Sequence, residues 1–261
     1  MTDPLFDLSG RVALVTGGSR GLGWQIALGF AAHGARVIVA SRKQEACDRA
    51  AAEIRARHGV DAWAISANVS HWDQCDALVE RAYQPAGRVD VLVNNAGLSP
   101  VYSSLTDVTE ALYDKVLAVN LKGPFRLGTL IGERMAAAGS GAIINISSVE
   151  AESPSPRALP YAAAKAGLDA LTIGLAAAYG PAVRVNTIMR RAVPHRHQQG
   201  LGPGRGHREP AAHGRAGPGR ASRGDRGRGP VPRVAVRQFH VRRHHPGRRR
   251  PRRRAVKGLF R

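Results

Sequence analysis

The sequence predicts an α/β fold over residues 1–189: a doubly wound parallel sheet with helices on both faces. Short apolar runs alternate along this part of the chain with longer stretches of helical periodicity. Such alternation is typical of βαβ units, whose right-handed crossovers bring successive strands into one parallel sheet. Ligands in folds of this class bind at the carboxyl ends of the strands.

The predicted elements follow one another in a regular order. Six short runs rich in Val, Ile and Ala are predicted as strands, at residues 12–16, 36–40, 62–66, 89–94, 142–147 and 183–188. The stretches between them carry apolar residues at helical spacing and are predicted as helices, at residues 21–33, 44–58, 71–84, 109–138 and 160–179. Six strands in this order give a doubly wound sheet.

The net charge of +20 is concentrated at the end of the chain. Residues 1–189 hold 17 of the 39 Lys and Arg and 17 of the 19 Asp and Glu, so this part is neutral. Residues 190–261 contain 12 Gly and 8 Pro but no Ile, Tyr or Trp. Such a composition buries too little apolar surface to offset the entropy of ordering. We therefore predict a folded domain at residues 1–189 and an irregular or disordered Arg/Gly/Pro-rich tail at residues 190–261.

Location and partners are also constrained by the sequence. No apolar run approaches the roughly 20 residues that span a bilayer, and the opening MTDPLFDLSG lacks the features of a secretory signal. Cys47 and Cys75 form no disulfide pattern. His33, His58 and His71 have no spacing typical of a metal site. We expect a cytoplasmic protein without a membrane span or a metal.

A glycine-rich loop follows the first predicted strand. The segment TGGSRGLG at residues 16–23 leads directly into a helix, as a phosphate-binding loop does. Its glycines allow a tight turn in which backbone N–H groups approach a pyrophosphate. A plain glycine turn is the alternative. The candidate cofactor-binding residues of this loop are Gly17, Ser19, Arg20, Gly21, Leu22 and Gly23.

The end of the second strand predicts which dinucleotide is bound. An NAD site usually has an Asp or Glu here for the ribose 2′-hydroxyl, whereas this chain has Ser41, Arg42 and Lys43. Arg42 and Lys43, together with Arg20 of the glycine loop, carry positive charges that suit the dianionic 2′-phosphate of NADP(H). A solvated basic turn is the alternative reading. We predict NADP(H), and NAD(H) as the less favoured cofactor.

Further motifs lie at later strand ends and on the last predicted helix. Tyr161 and Lys165 form YAAAK, which places them one turn apart on one helix face. Ser148 ends the run INISS, the motif NNAG occupies residues 94–97, and Asn120 lies in a long helical stretch. With the glycine loop, these motifs resemble the short-chain dehydrogenase/reductase superfamily over residues 8–189. The resemblance implies a Rossmann-like fold.

The resemblance also implies a role for each residue. Tyr161 is the expected general acid/base, helped by the Lys165 ammonium, which favours the phenolate electrostatically. Ser148 would orient the substrate oxygen and Asn120 would hold a water in a proton relay; the alternative for Asn120 is a purely structural bond to the backbone. The residues expected to contact the cofactor outside the glycine loop and the basic turn are Asn68, Val69, Asn94, Ala96, Gly97, Tyr161 and Lys165. The family usually has an Asp where Asn68 stands, so we expect an altered adenine contact.

These assignments predict an NADP(H)-dependent oxidoreductase that interconverts a ketone or aldehyde and an alcohol by hydride transfer. Its partner is a small carbonyl or alcohol substrate. By resemblance, the protein is a homo-oligomer, a tetramer or dimer, provided that its carboxyl-terminal part is intact.

The tail departs from the family pattern. The family continues after VRVNTI with a Pro-Gly turn, a nicotinamide-contacting Thr, a lid and a last strand, none of which follows Met189. Back-translation of residues 190–199 read one base later yields GGPFLTDIS, and residues 236–249 can yield SASFTSGAIIRVDG. We therefore interpret residues 190–261 as frameshifted and expect the chain as written to fold poorly and to turn over weakly or not at all. The alternative is a non-catalytic member of the family whose basic tail, with Arg248–Arg250 and Arg252–Arg254, binds nucleic acid without sequence preference.

Overall fold

The computed structural model describes residues 6–190 and 235–238. A single sheet runs through them in the order β3-β2-β1-β4-β5-β6-β7. Its strands are β1 (Val12–Thr16), β2 (Arg36–Ser41), β3 (Ala62–Ser66), β4 (Val91–Asn94), β5 (Gly141–Ser148), β6 (Val183–Arg190) and β7 (Ala235–Gln238). The first six strands pair in parallel. The predicted doubly wound sheet is confirmed.

Six α-helices connect the parallel strands. They are α1 (Gly21–Ala32), α2 (Gln44–His58), α3 (Trp72–Ala86), α4 (Glu110–Leu117), α5 (Gly123–Ala137) and α6 (Leu159–Tyr179). The helix expected at residues 109–138 is interrupted: one π-helical turn, Ala118–Lys122, separates α4 from α5. Its backbone bond from Gly123 N to Ala118 O spans five residues instead of four. The prediction of one continuous helix is therefore wrong at this turn.

Both faces of the sheet are covered, which explains why all five residues of β1 are buried. Val12 and Leu14 point to one face and belong to a cluster with side chains of α3, α5 and α6. Val15 points to the other face and packs with side chains of α1 and α2. This alternation along the strand produces the two hydrophobic layers that hold the strand ends in place.

The structure adds one strand that lies within the predicted tail. Ala235–Gln238 pairs antiparallel with β6, with Val236 opposite Ile188 and Ala235 opposite Met189. The expected irregularity of the tail, the proposed frameshift and the nucleic-acid alternative otherwise concern residues outside those described. Among the described residues, no helix is both long and apolar enough to cross a membrane.

The chain elements that carry the predicted site meet at one edge of the sheet. β1, β4 and β5 are neighbours, and their parallel pairing brings their carboxyl ends together. Asn94 at the end of β4 lies opposite Asn145 of β5. Because the glycine loop follows β1 and Ser148 ends β5, the phosphate-binding and catalytic candidates share this edge.

Candidate active site

The glycine loop adopts a conformation that only glycine accommodates at several positions. Gly17 and Gly21 have φ angles of +64° and +59°, in the left-handed region. At Gly23 a Cβ atom would lie 2.3 Å from Asn95 Nδ2 and 2.4 Å from Gly17 O. The first turn of α1 is therefore packed directly against the loop, and a side chain at Gly23 has no room.

Thr16 ties this loop to the segment after β4, and sequence reasoning did not assign it a role. Its buried Oγ1 donates to Val93 O at 3.1 Å and accepts from Asn95 N at 3.0 Å and Ala96 N at 3.1 Å. Asn95 adds a second tie, since its Nδ2 donates to Thr16 O at 2.9 Å and to Gly17 O at 3.3 Å. A buried Thr directly before a glycine loop was the available signal for this role.

The amino terminus of α1 faces the loop with its backbone donors available. Arg20 precedes the helix in an extended conformation, and no side chain among the described residues caps the first turn. Leu22, in that turn, is exposed. Uncapped N–H groups at a helix start, together with the helix dipole, favour an anionic group such as a pyrophosphate.

Polar groups gather at the end of β2. Ser19 Oγ donates to Ser41 Oγ at 2.9 Å, which brings the glycine loop and the β2 end into contact. Arg20, Arg42 and Lys43 are all exposed around this pair. Two hydroxyls bordered by three cations have the chemistry of a phosphate-binding site.

Asn68 and Val69 follow β3, where an adenine contact was expected. Asn68 Oδ1 accepts from Ser70 N at 3.2 Å and Ser70 Oγ at 2.9 Å, and Asn68 N donates to Gln74 Oε1 at 2.8 Å. Its carbonyl oxygen therefore shapes the turn into α3. Val69 is buried, and its carbonyl would lie 2.4 Å from a Cβ at Gly123.

The NNAG segment joins the two halves of the site. Asn94 Nδ2 donates to Asn145 Oδ1 at 2.9 Å, and Asn145 Nδ2 donates to Thr172 Oγ1 of α6 at 2.8 Å. The buried Oδ1 of Asn94 has no hydrogen-bond partner within residues 6–190 and 235–238. Ala96 is held by Thr16, as described above, and a Cβ at Gly97 would lie 3.1 Å from Asn120 Oδ1.

Asn120 is fully buried at the centre of the π-helical turn. Its Nδ2 donates to Leu98 O at 2.8 Å and to Val116 O at 2.9 Å, while its Oδ1 accepts from Leu98 N at 3.3 Å. The side chain thus fastens the turn to the segment after β4, which is the structural role considered as an alternative. Single π turns occur frequently at functional sites, and the water-holding role remains a prediction.

Ser148, Tyr161 and Lys165 come from β5 and α6 and are 5%, 7% and 3% exposed. Lys165 Nζ donates to Ile146 O of β5 at 2.8 Å and lies 5.6 Å from the centre of the Tyr161 ring. Ser148 Oγ accepts from Glu150 N at 3.3 Å. The bond to Ile146 holds the face of α6 that carries Tyr161 and Lys165 at a point two residues before Ser148, so all three candidates lie along one strand–helix contact.

The family model for short chain dehydrogenases matches residues 11–202 of this chain. The chain belongs to the short-chain dehydrogenase/reductase family. The predicted family membership is confirmed. The match covers the glycine loop, the NNAG segment, Ser148 and the YAAAK motif.

Curated relatives of this short-chain dehydrogenase/reductase are similar over its folded part. Dehydrogenase/reductase SDR family member 4 of Homo sapiens is 37% identical over 182 residues, which make up 69% of this chain and 65% of the relative. The chain therefore spans less than two-thirds of the length of that relative. Most of residues 190–261 lies outside the family match.

Solved structures of short-chain dehydrogenases share the fold. A candidate short-chain alcohol dehydrogenase from Sinorhizobium meliloti 1021 has a TM-score of 0.71 at 39% identity, covering 76% of this chain and 78% of its own. A metagenomic short-chain oxidoreductase in complex with NADP has a TM-score of 0.67 at 38% identity, covering 70% and 83%. An NAD⁺-bound xylitol dehydrogenase has a TM-score of 0.67 at 28% identity, covering 70% of each chain.

Tyr102 is a second residue of this short-chain dehydrogenase/reductase whose role the sequence did not predict. Its hydroxyl donates to Pro156 O at 3.1 Å and accepts from Leu159 N at 2.7 Å. Leu159 is the first residue of α6, whose amino terminus has no cap from Ala158. Tyr102 therefore supplies a cap for the helix that carries Tyr161. A single tyrosine in a loop gives no sequence signal for this role.

Asp169 lies one helical turn after Lys165 on α6. Its Oδ1 is buried and has no hydrogen-bond partner in the described part of the chain. Burial raises the pKa of Asp169 above its ordinary value of 3.8, while the hydroxyls of Ser147 and Thr187 and the Lys165 ammonium oppose this rise. The carboxylate adds a negative charge close to the Lys165 ammonium.

Proposed function

We propose that this protein is an NADP(H)-dependent oxidoreductase that interconverts a ketone or aldehyde and an alcohol by hydride transfer, with Tyr161 as the general acid/base. The observation that carries the proposal is the contact between α6 and β5. Tyr161, Lys165 and Ser148 are all buried there, and the Lys165 bond to Ile146 O ties α6 to β5 two residues before Ser148. A buried ammonium 5.6 Å from the centre of a tyrosine ring suits proton transfer to a substrate oxygen.

The residues at the sheet edge fit a dinucleotide. Three features of the glycine loop suit a pyrophosphate. Gly17 has a left-handed backbone, Gly23 has no room for a side chain, and the first turn of α1 has no side-chain cap. The unpartnered Asn94 Oδ1 is suited to accept a hydrogen bond from the nicotinamide half. When bound, the nicotinamide ring accepts or donates the hydride, while this chain supplies binding, orientation and the proton.

Each catalytic side chain has a defined task in carbonyl reduction. The Tyr161 hydroxyl donates its proton to the substrate oxygen, on which negative charge develops as the carbonyl is reduced. The Ser148 hydroxyl donates a hydrogen bond to the same oxygen and orients it. Lys165 stabilises the phenolate left behind. Asn120 would hold a water in the proton relay, and it also fastens the π-helical turn to the segment after β4.

The preference for NADP(H) over NAD(H) is supported by the β2 end. Ser19 and Ser41 present paired hydroxyls, and the exposed Arg20 and Arg42 add positive charge for a 2′-phosphate. The related structures include one complex with NADP and one with NAD⁺. Comparing kcat/KM for NADPH and NADH tests the preference, and a higher value for NADH would contradict it.

The catalytic assignment is tested by Tyr161→Phe in a screen of ketones and aldehydes with NADPH. We expect kcat to fall by at least about a hundredfold, because a positioned proton donor contributes on the order of 10²–10⁴ in rate. The dissociation constant of NADPH should stay within about twofold. Tyr179→Phe is the matched control, since it removes one bond to Thr129 O at the far end of α6. Near-normal turnover by Tyr161→Phe would overturn the mechanism.

Assembly and location complete the proposal. We propose a cytoplasmic homo-oligomer, a dimer or tetramer, in which exposed apolar side chains such as Phe125 of α5 and Ile173 of α6 are covered. Light scattering on the full chain distinguishes these states from a monomer.

The tail bears directly on activity. The family match ends at residue 202, and the frameshift near codon 189 remains a prediction. Sequencing codons 180–261 of the gene tests it, because a discrepancy of one or two bases would restore the family pattern.

A further inference from the structure

A chain of three polar side chains lies beneath the candidate 2′-phosphate site. Ser19 Oγ donates to Ser41 Oγ, and Ser41 Oγ lies 3.1 Å from Cys47 Sγ. Cys47, near the start of α2, is 0% exposed, so it contacts a ligand only through Ser41. Its other polar neighbours are more distant, at 3.8 Å for Ser41 O and 3.7 Å for Ile65 O.

We propose that Cys47 is a positioning residue for cofactor specificity, which orients the Ser41 hydroxyl so that the site favours a phosphate on the ribose 2′-oxygen. This inference rests on the proposed NADP(H)-dependent function. It adds a residue that lies outside the loop and outside the exposed basic turn.

The proton count explains how a buried thiol has this effect. A serine hydroxyl has one hydrogen to donate and two lone pairs to accept with. Ser41 Oγ accepts one hydrogen from Ser19. Either Ser41 Oγ or Cys47 Sγ can donate across their 3.1 Å contact. We assign the donor role to the thiol, which then fills the second lone pair of Ser41 Oγ, so that the Ser41 hydrogen must point elsewhere. It is then directed at an incoming phosphate oxygen, which is a strong acceptor.

The thiol stays in the form that this role requires. Burial raises the pKa of Cys47 above its ordinary value of 9.0, and its hydrogen bonds with Ser41 only partly oppose the rise. The group therefore keeps its hydrogen at neutral pH and remains a donor. A thiolate would instead compete with the phosphate for the Ser41 hydrogen.

Charge alone does not give this selectivity. Arg20, Arg42 and Lys43 are exposed, so they attract a phosphate through solvent with little dependence on its position. A hydroxyl with a fixed direction discriminates between positions, because a hydrogen bond weakens steeply when its angle departs from linearity. The orientation of Ser41 is thus the feature that separates a 2′-phosphate from a 3′-phosphate.

The test compares two ligands of equal charge. Adenosine 2′,5′-bisphosphate and adenosine 3′,5′-bisphosphate are titrated into the full chain by calorimetry at fixed ionic strength. The basic tail attracts both equally, so the ratio of their dissociation constants isolates the position of the phosphate. We expect wild type to prefer the 2′,5′-isomer and Cys47→Ala to reduce this preference by about threefold to tenfold, the range of one lost hydrogen bond.

Two further variants make the result specific. Cys75→Ala removes the other buried cysteine, whose thiol bonds Val69 O, and should leave the ratio unchanged. Cys47→Ser keeps a hydrogen-bond donor at the position and should show a preference between those of wild type and Cys47→Ala. The serine variant also provides the measurement if Cys47→Ala fails to fold.

Each outcome has a distinct meaning. Wild type without a preference for the 2′,5′-isomer would overturn the NADP(H) assignment and this inference with it. A wild-type preference that Cys47→Ala retains in full would overturn the inference alone. An equal loss of preference in Cys75→Ala would also overturn it, because the effect would then reflect general loosening of the domain.

Discussion

The hydroxyl of Thr16 makes three buried hydrogen bonds, so its removal tests how the glycine loop is held. Thr16→Val replaces the hydroxyl by a methyl group of similar size and leaves Val93 O and Ala96 N without this partner. The Asn95 N–H group is less affected by the loss of the hydroxyl, because it also donates a hydrogen bond to Val93 O at 3.1 Å. At roughly 0.5–1.5 kcal/mol for each net hydrogen bond, the free energy of unfolding should fall by about 2–3 kcal/mol.

Thr16→Ser is the matched control for this loss. It keeps the hydroxyl and removes one buried methyl group, which costs about 1 kcal/mol. Urea unfolding followed by tryptophan fluorescence measures both variants against wild type. The dissociation constant of NADPH should rise more in Thr16→Val than in Thr16→Ser, because the loop in the valine variant loses its tie to Ala96. Equal unfolding free energies for the two variants would refute this reasoning.

Three further predictions concern other parts of the domain. Gly23→Ala places a Cβ against the loop backbone and should abolish NADPH binding, whereas Gly29→Ala, on the same helix with nothing within 4 Å, should stabilise the protein by about 0.5–1 kcal/mol in urea unfolding. Tyr102→Phe removes the cap of α6 and should cost about 1 kcal/mol, while Tyr113→Phe, at an exposed position of α4, should be neutral within error. The folded state raises the pKa of Asp169, so it binds the proton more tightly than the unfolded chain does, and stability is lost as pH rises above 3.8. The difference in unfolding free energy between Asp169→Asn and wild type should therefore shift in favour of the variant between pH 4 and pH 7. If this difference stayed constant across the interval, folding would not raise the pKa of Asp169.

Strands were the most predictable elements because their signal is local. The run at residues 12–16 is apolar up to Thr16, and both faces of β1 prove to be covered. The predicted end of the sixth strand, residue 188, falls short of the observed Arg190, since pairing with β5 continues to Ser148 ↔ Arg190. A partner strand determines where hydrogen bonding stops, and a single run of sequence does not contain that information.

The π-helical turn shows a different limit. Apolar spacing continues from α4 to α5, so the pattern predicts one helix across residues 109–138. The change from four-residue to five-residue hydrogen bonds is confined to the single turn Ala118–Lys122. Helical periodicity reports which face is buried and does not report which carbonyl each N–H group bonds.

The candidate site also contains residues that the sequence predicted and residues that it did not. Family motifs pointed to Tyr161, Lys165 and Ser148, which the structure brings to one strand–helix contact. Tyr102 and Cys47 act through partners 57 and 6 residues away along the chain, and neither belongs to a motif. Their roles follow from the folded geometry alone.

The segment from Asn95 to Gly97 works as a spacer of fixed length between the two ends of the site. Asn95 is bound to the glycine loop at one end, and Gly97 abuts Asn120 at the other. Lengthening this segment by one residue would separate phosphate binding from chemistry, whatever side chains were kept. The β2–α2 junction lies instead at the proposed 2′-phosphate site, where Ser41 bonds Ser19 of the glycine loop. Exchange of cofactor preference by redesign therefore belongs at Ser41 and Arg42, with the spacer left untouched.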